Sequence, residues 1–79
     1  MPKTYISFED KQIRDIRRLI RETRKEKKIS QETLADAIGI SRVTYTEREN
    51  NINKMRLEEF LITINELGIG FNLYEKGET

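Results

Sequence analysis

The sequence predicts an all-α domain of about four helices over residues 8–68, followed by one strand, 69–74, and a frayed tail, 75–79. Three observations carry that expectation. Apolar residues recur at intervals of three and four in four separate segments. Ser and Gly stand at the edges of those segments, where helix starts and stops are expected. Beyond Gly68 the period changes to strict alternation, the pattern of a strand.

The first helix is expected over roughly 8–27. Ser7 reads as its N-cap with Glu9 and Asp10 in the first turn. Ile13, Ile16, Leu19, Ile20 and Thr23 fall on one arc, and Arg and Lys dominate the other faces. The closing run Lys25-Glu26-Lys27-Lys28 suits the negative end of a helix dipole. Ser30 then caps a second segment, Gln31 to Ile38, whose Leu34, Ala35 and Ile38 share a face and which Gly39 stops. After Ile40, Ser41 caps a third, Arg42 to Glu49, and Asn50-Asn51 ends it, since Asn tolerates the left-handed conformation. Two helices of about eight residues thus meet across a turn of about three, the local geometry of a helix-turn-helix.

Ile52-Asn53-Lys54 reads as a polar loop. A fourth helix follows, with Leu57, Phe60, Leu61, Ile64 and Leu67 on one stripe and Ile62 off it. In the terminal strand Ile69, Phe71 and Leu73 share a face. A strand needs partners for its backbone groups. Thr4-Tyr5-Ile6 is one short candidate, and the same strand of a second subunit is the favoured one. No internal repeat, low-complexity tract or linker divides the chain.

Composition excludes more than it identifies. At 79 residues a single domain buries about 60% of its unfolded surface, so its core is small. Without Cys or His, disulfides, thiolate chemistry and the usual general base and metal ligands are gone. An enzyme is not expected, nor a cofactor. No apolar run approaches the roughly 20 residues of a membrane span and no secretory leader is recognisable, so a cytoplasmic protein without membrane contact is expected. The net charge of +1 hides an asymmetry: residues 1–28 carry ten Lys/Arg against five Asp/Glu, residues 55–79 two against five. Such a gradient fits either a basic face that meets an anion such as nucleic acid or a solvated, charge-laced helix.

From Arg24 to Leu67 the chain resembles the lambda-repressor/Cro-like helix-turn-helix family. The resemblance is carried by Arg24, by Ile29-Ser30-Gln31-Glu32-x-Leu34-Ala35-x-x-Ile38-Gly39-Ile40-Ser41, by Glu49-Asn50-Asn51, and by Leu57 and Leu61. Glu49-Asn50-Asn51, Phe60 and the apolar C-terminal segment further resemble HipB-like antitoxins. Four positions depart from the family pattern: Lys28 where Gly is frequent, Tyr45 for a smaller aliphatic, Arg48 for an apolar residue, and Met55 for a frequent Pro.

The resemblance implies a dimeric, sequence-specific DNA-binding repressor acting on a pseudo-palindromic operator. The HipB-like features imply an antitoxin that also binds a toxin such as a HipA-like kinase. A stand-alone phage or restriction-modification regulator is the alternative within the class, and a protein-interaction module without DNA binding the rival outside it. In such folds the third helix enters the major groove. Gln31, at the start of the second helix, is the expected phosphate contact. Ser41, Arg42 and Val43 open the reading helix, with Arg42 suited to guanine and Val43 to a thymine methyl. Thr44 and Thr46 are expected at phosphate or base, and Glu47 either accepts from cytosine or repels mismatched approaches. Asn51, Asn53 and Lys54 are expected to grip phosphates. Arg24 and Glu49 are assigned by the family to an architectural ion pair.

Overall fold

The computed structural model describes residues 3–72 and 75, with side chains from Asp10 onward. Four helices form among the described residues: α1 (Lys3–Glu26), α2 (Gln31–Ile38), α3 (Arg42–Asn50) and α4 (Leu57–Leu67), with a 3₁₀ turn, Ile52–Lys54, between the last two. Helices α2 and α3 pack on each other as the expected helix-turn-helix, and α1 and α4 close the core around them. Ile20, Leu34, Ala35, Tyr45, Ile52, Ile64 and Leu67 are its buried centre. Ile38, on the face it shares with Leu34 and Ala35, and Ile40 pack on it from the side.

The punctuation works as expected in the middle of the chain. The Ser30 hydroxyl accepts from Thr33 N–H at 3.0 Å and the Ser41 hydroxyl from Thr44 N–H at 3.1 Å. Each satisfies one of the donors that a helix start leaves open. Gly39 ends α2 at φ 91° and Gly68 ends α4 at φ 74°, both in the left-handed region.

Elsewhere the structure corrects the sequence. Helix α1 begins at Lys3, so Ser7 lies inside the helix rather than before it, and Thr4-Tyr5-Ile6 is helical, not a strand. A helix satisfies its own backbone groups, which a lone three-residue strand does not. Residues 69–72 carry no strand, and Leu73 and Tyr74 lie outside the described residues. Ile69 instead packs on the chain's own core. Its N–H donates to the Ile64 carbonyl at 2.8 Å, completing the stop of α4. Phe71 sets its ring edge-on against Phe60, centroids 5.6 Å apart.

Asn51 is not left-handed: at φ −131° it passes the chain into the 3₁₀ turn, where its carbonyl accepts from Lys54 N–H. That turn is not wholly polar, because Ile52 is buried. Leu57, the first residue of α4, is exposed, and so is half of Leu19.

Two family departures have local explanations. Met55 sits at φ −73°, ψ 134°, a conformation Pro also adopts, but its N–H donates to Ile52 O at 2.9 Å and Pro has none to give. Lys28 is the one non-Gly residue at positive φ among the described residues, 58°. That conformation costs an L-residue about 1–2 kcal/mol, partly offset by the extra entropy glycine loses on folding. Lys28→Gly is therefore expected to raise stability by about 1 kcal/mol. Urea unfolding measures it, and a loss of stability would show that the Lys28 side chain contributes more than its backbone strain costs.

Candidate nucleic-acid interface

The expected reading helix is tied down at its C-terminal end, which leaves its first turn standing outward. Arg24 on α1 places Nε 2.9 Å from Glu49 Oε2, with Glu49 only 1% exposed. Arg24 also donates to the Ile29 carbonyl at 3.4 Å, linking the turn before α2 to the same pair. Gln31 Nε2 donates to the other Glu49 oxygen at 2.6 Å. One carboxylate thereby joins α1, α2 and α3, which is the architectural role expected for Arg24 and Glu49.

Arg48, the second family departure on α3, forms a matching tie. Its Nε lies 3.0 Å from Glu59 Oε1, and Glu59 is 5% exposed. The same oxygen accepts from Arg56 N–H at 2.9 Å, so Glu59 also caps the start of α4. Burial pushes the Glu59 carboxyl up, but the Arg56 N–H and then the Arg48 guanidinium outweigh it and hold the group below its ordinary range. Glu59 therefore stays ionised and Arg48 keeps its partner. The sequence signalled Arg48 only as an oddity, because its partner lies eleven residues away on another helix.

One turn before these ties Tyr45 fills the core. It is fully buried, and its hydroxyl has no hydrogen-bond partner among the described residues. Burial, reinforced by the Glu49 charge and opposed by Arg24, pushes its phenol well above the usual range. The ring positions α3 while the hydroxyl is a cost of about 1–3 kcal/mol. Tyr45→Phe is expected to gain about 1–2 kcal/mol in denaturant unfolding. A destabilised variant would show that the hydroxyl has a partner in solution.

Three more contacts escaped the sequence reading. Arg17 Nη1 donates to the Asn50 carbonyl at 3.1 Å and Arg21 Nη2 to Asn50 Oδ1 at 3.4 Å. Cations thus meet the negative end of α3. Lys27 donates to the Leu67 carbonyl at 2.6 Å, capping α4 rather than its own helix. No sequence pattern marks a pair forty residues apart.

The ten expected DNA-facing residues divide into two groups. Arg42, Val43 and Glu47 are exposed along α3, with Val43 67% exposed despite its apolar side chain. Asn53 and Lys54 are exposed on the 3₁₀ turn, and Asn51 beside them donates to the Glu47 carbonyl at 3.3 Å. The other four are engaged within the chain. Ser41 caps α3 and donates its hydroxyl to that of Thr44 at 2.9 Å. The Thr46 hydroxyl shares one proton between Gln31 Oε1 at 2.9 Å and the Arg42 carbonyl at 3.0 Å. Gln31, bonded at both ends of its amide, keeps one amide hydrogen for an outside acceptor. Its position is fixed before any ligand arrives.

No helix among the described residues is long and apolar enough to cross a membrane. No curated protein and no solved structure matches the chain. A family model described as Helix-turn-helix matches residues 20–72, well over half of the sequence and all of α2, α3 and α4. With α2 and α3 packed across a Gly39 turn and the last turn of α3 tied to its neighbours, the chain belongs to the helix-turn-helix family of lambda-repressor-like type, whose members are DNA-binding transcription regulators.

Proposed function

We propose that the chain is a sequence-specific repressor that places α3 in the major groove of a pseudo-palindromic operator. The observation that carries this reading is the exposed start of α3. Arg42 and Val43 project there from a helix whose far end is locked by Arg24–Glu49 and Arg48–Glu59. A rigid helix presenting a guanidinium and an apolar side chain matches what base edges offer in that groove. Gln31 would give its remaining amide hydrogen to a phosphate, with Asn51, Asn53 and Lys54 on the backbone at the other end of α3. Ser41, Thr44 and Thr46 would contribute at the groove edge by reorienting hydroxyl protons now used internally, and Glu47 would accept from cytosine. Selected-site sequencing from a random duplex library tests the reading. A single inverted-repeat site is expected, and recovery of unenriched sequence overturns it.

A second copy supplies the symmetry such an operator requires. Leu19 and Phe71, each 51% exposed, flank an apolar groove between α1 and α4, floored by Ile16, Phe60 and Ile64. We assign the dimer contact to this surface rather than to a paired strand, since Ile69 is used by the chain's own core. Sedimentation of Phe71→Asp at micromolar concentration is expected to show a monomer where the parent is dimeric. An unchanged dimer would move the interface to the half-buried Ile62 on α4. The HipB-like features, Glu49-Asn50-Asn51 and Phe60, support an antitoxin role within this reading. Co-expression with a HipA-like kinase from an adjacent reading frame is the test, and absence of a stable complex leaves a stand-alone regulator.

A further inference from the structure

We infer that the cationic stripe along the outer face of α1 is a second phosphate-binding surface, one that grips DNA flanking the segment read by α3. This rests on the DNA-binding reading above and extends it to a surface that, Arg21 apart, the family match does not cover, since that match begins at residue 20.

Lys11, Arg14, Arg18 and Arg21 recur at intervals of three and four, so they form one stripe along the helix. With Arg17 they line an open concavity of about 500 Å³. Asp15 and Glu22 also line it, leaving cations in excess by five to two. Asp15 holds Lys11 at 3.1 Å and Arg18 at 3.0 Å, which orders both heads and leaves each with further donors. Arg14 makes no hydrogen bond or ion pair with another described residue. From Lys11 to Arg21 the stripe is about 15 Å long at 1.5 Å per residue. One DNA strand presents a phosphate about every 3.4 Å of axis, so the stripe spans roughly four.

Its place in the fold supplies the direction. Arg17 and Arg21 bond to Asn50, so one edge of the stripe lies against the last turn of α3 and the neighbouring Asn51–Lys54 segment. A nine-residue α3 is about 13 Å long, and the major groove is about 8.5 Å deep. With Arg42 and Val43 at the bases, the far end of α3 therefore stands level with the groove wall, where phosphates run. The stripe continues from that point along α1, away from the bases.

The test uses the intact chain and the site recovered by selection, once as the bare site and once with ten added base pairs on each side. Binding is followed by fluorescence anisotropy against salt. The parent is expected to show a salt slope steeper by about two units per subunit on the flanked duplex, because each phosphate contact contributes about 0.9. Arg14→Gln/Arg18→Gln is expected to lose that gain and bind the bare site as before, while Arg14→Lys/Arg18→Lys keeps it. Circular dichroism of each variant checks that α1 stays helical. Equal slopes on the two duplexes for the parent would overturn the stripe as a DNA contact and leave the reading helix standing. Failure of the parent to bind either duplex would overturn the DNA-binding reading itself.

Discussion

Arg24→Ala is expected to cost about 3–5 kcal/mol of stability, because it strands a buried carboxylate. Glu49 is 1% exposed and Arg24 supplies its only cationic contact among the described residues. What remains is the Gln31 amide, a neutral donor that does not balance the charge. Domains of this size hold roughly 5–10 kcal/mol in total, so the variant should melt at least about 15 °C lower. Glu49→Ala should also destabilise, since it leaves Arg24 and Gln31 without their acceptor. The double variant is expected to lose less than the sum of the two singles, because no charge is then left buried alone. Strict additivity in urea unfolding would show that the two side chains do not interact in solution. Where the Arg24 variant is still folded, in the cold, its base preference is expected to be unaltered. The pair joins α1 to α3 inside the fold, away from the exposed first turn of α3.

How far such a pair could be foreseen depends on what encodes it. The caps at Ser30 and Ser41 and the stops at Gly39 and Gly68 are local, each set by one residue type and its immediate neighbours, and all four are found as expected. The helix-turn-helix itself follows from their spacing. Arg24–Glu49 is not local, and only the family resemblance pointed to it. Arg48–Glu59, Lys27–Leu67 and the two arginines on Asn50 follow no local pattern and are pairs the family resemblance does not assign. They depend on how the helices cross.

The strand expected over 69–74 is absent from residues 69–72 for a related reason. Alternation in Ile69, Phe71 and Leu73 puts them on one face of a strand, but a short apolar segment after a helix stop also packs back on the helices it leaves. Ile69 does so against the core and Phe71 against Phe60. At α1 the error was one of sufficiency. Ser7 followed by two carboxylates is an adequate N-cap pattern, yet nothing in residues 3–6 opposes helix, and the helix continues through them. Of the candidate interface, exposure of Arg42, Val43, Glu47, Asn53 and Lys54 was legible. The internal use of Gln31, Ser41, Thr44 and Thr46 was not, because the small polar residues that meet phosphates also cap helices and bridge them.

Arg42→Ala is expected to weaken binding to the selected operator by about 1–3 kcal/mol, roughly 5- to 150-fold, and to relax preference at one position in each half-site. The reason is geometric. Arg42 is the first residue of α3, exposed, and its guanidinium makes no ion pair among the described residues. Its planar fork is therefore available to pair with guanine O6 and N7, a match no other base offers. Arg42→Lys is expected to recover charge but not preference, because an ammonium lacks the fork. Lys54→Ala supplies the contrast: a phosphate contact should weaken all duplexes alike and flatten the salt slope by about one unit. Stability should change little in any of these variants, since both side chains are exposed. Repeating the site selection with each variant separates the two roles. If the Arg42 variant selected the parent's site unchanged, Arg42 would be a second backbone contact, and Val43 and Glu47 would be left as the residues of α3 able to read a base.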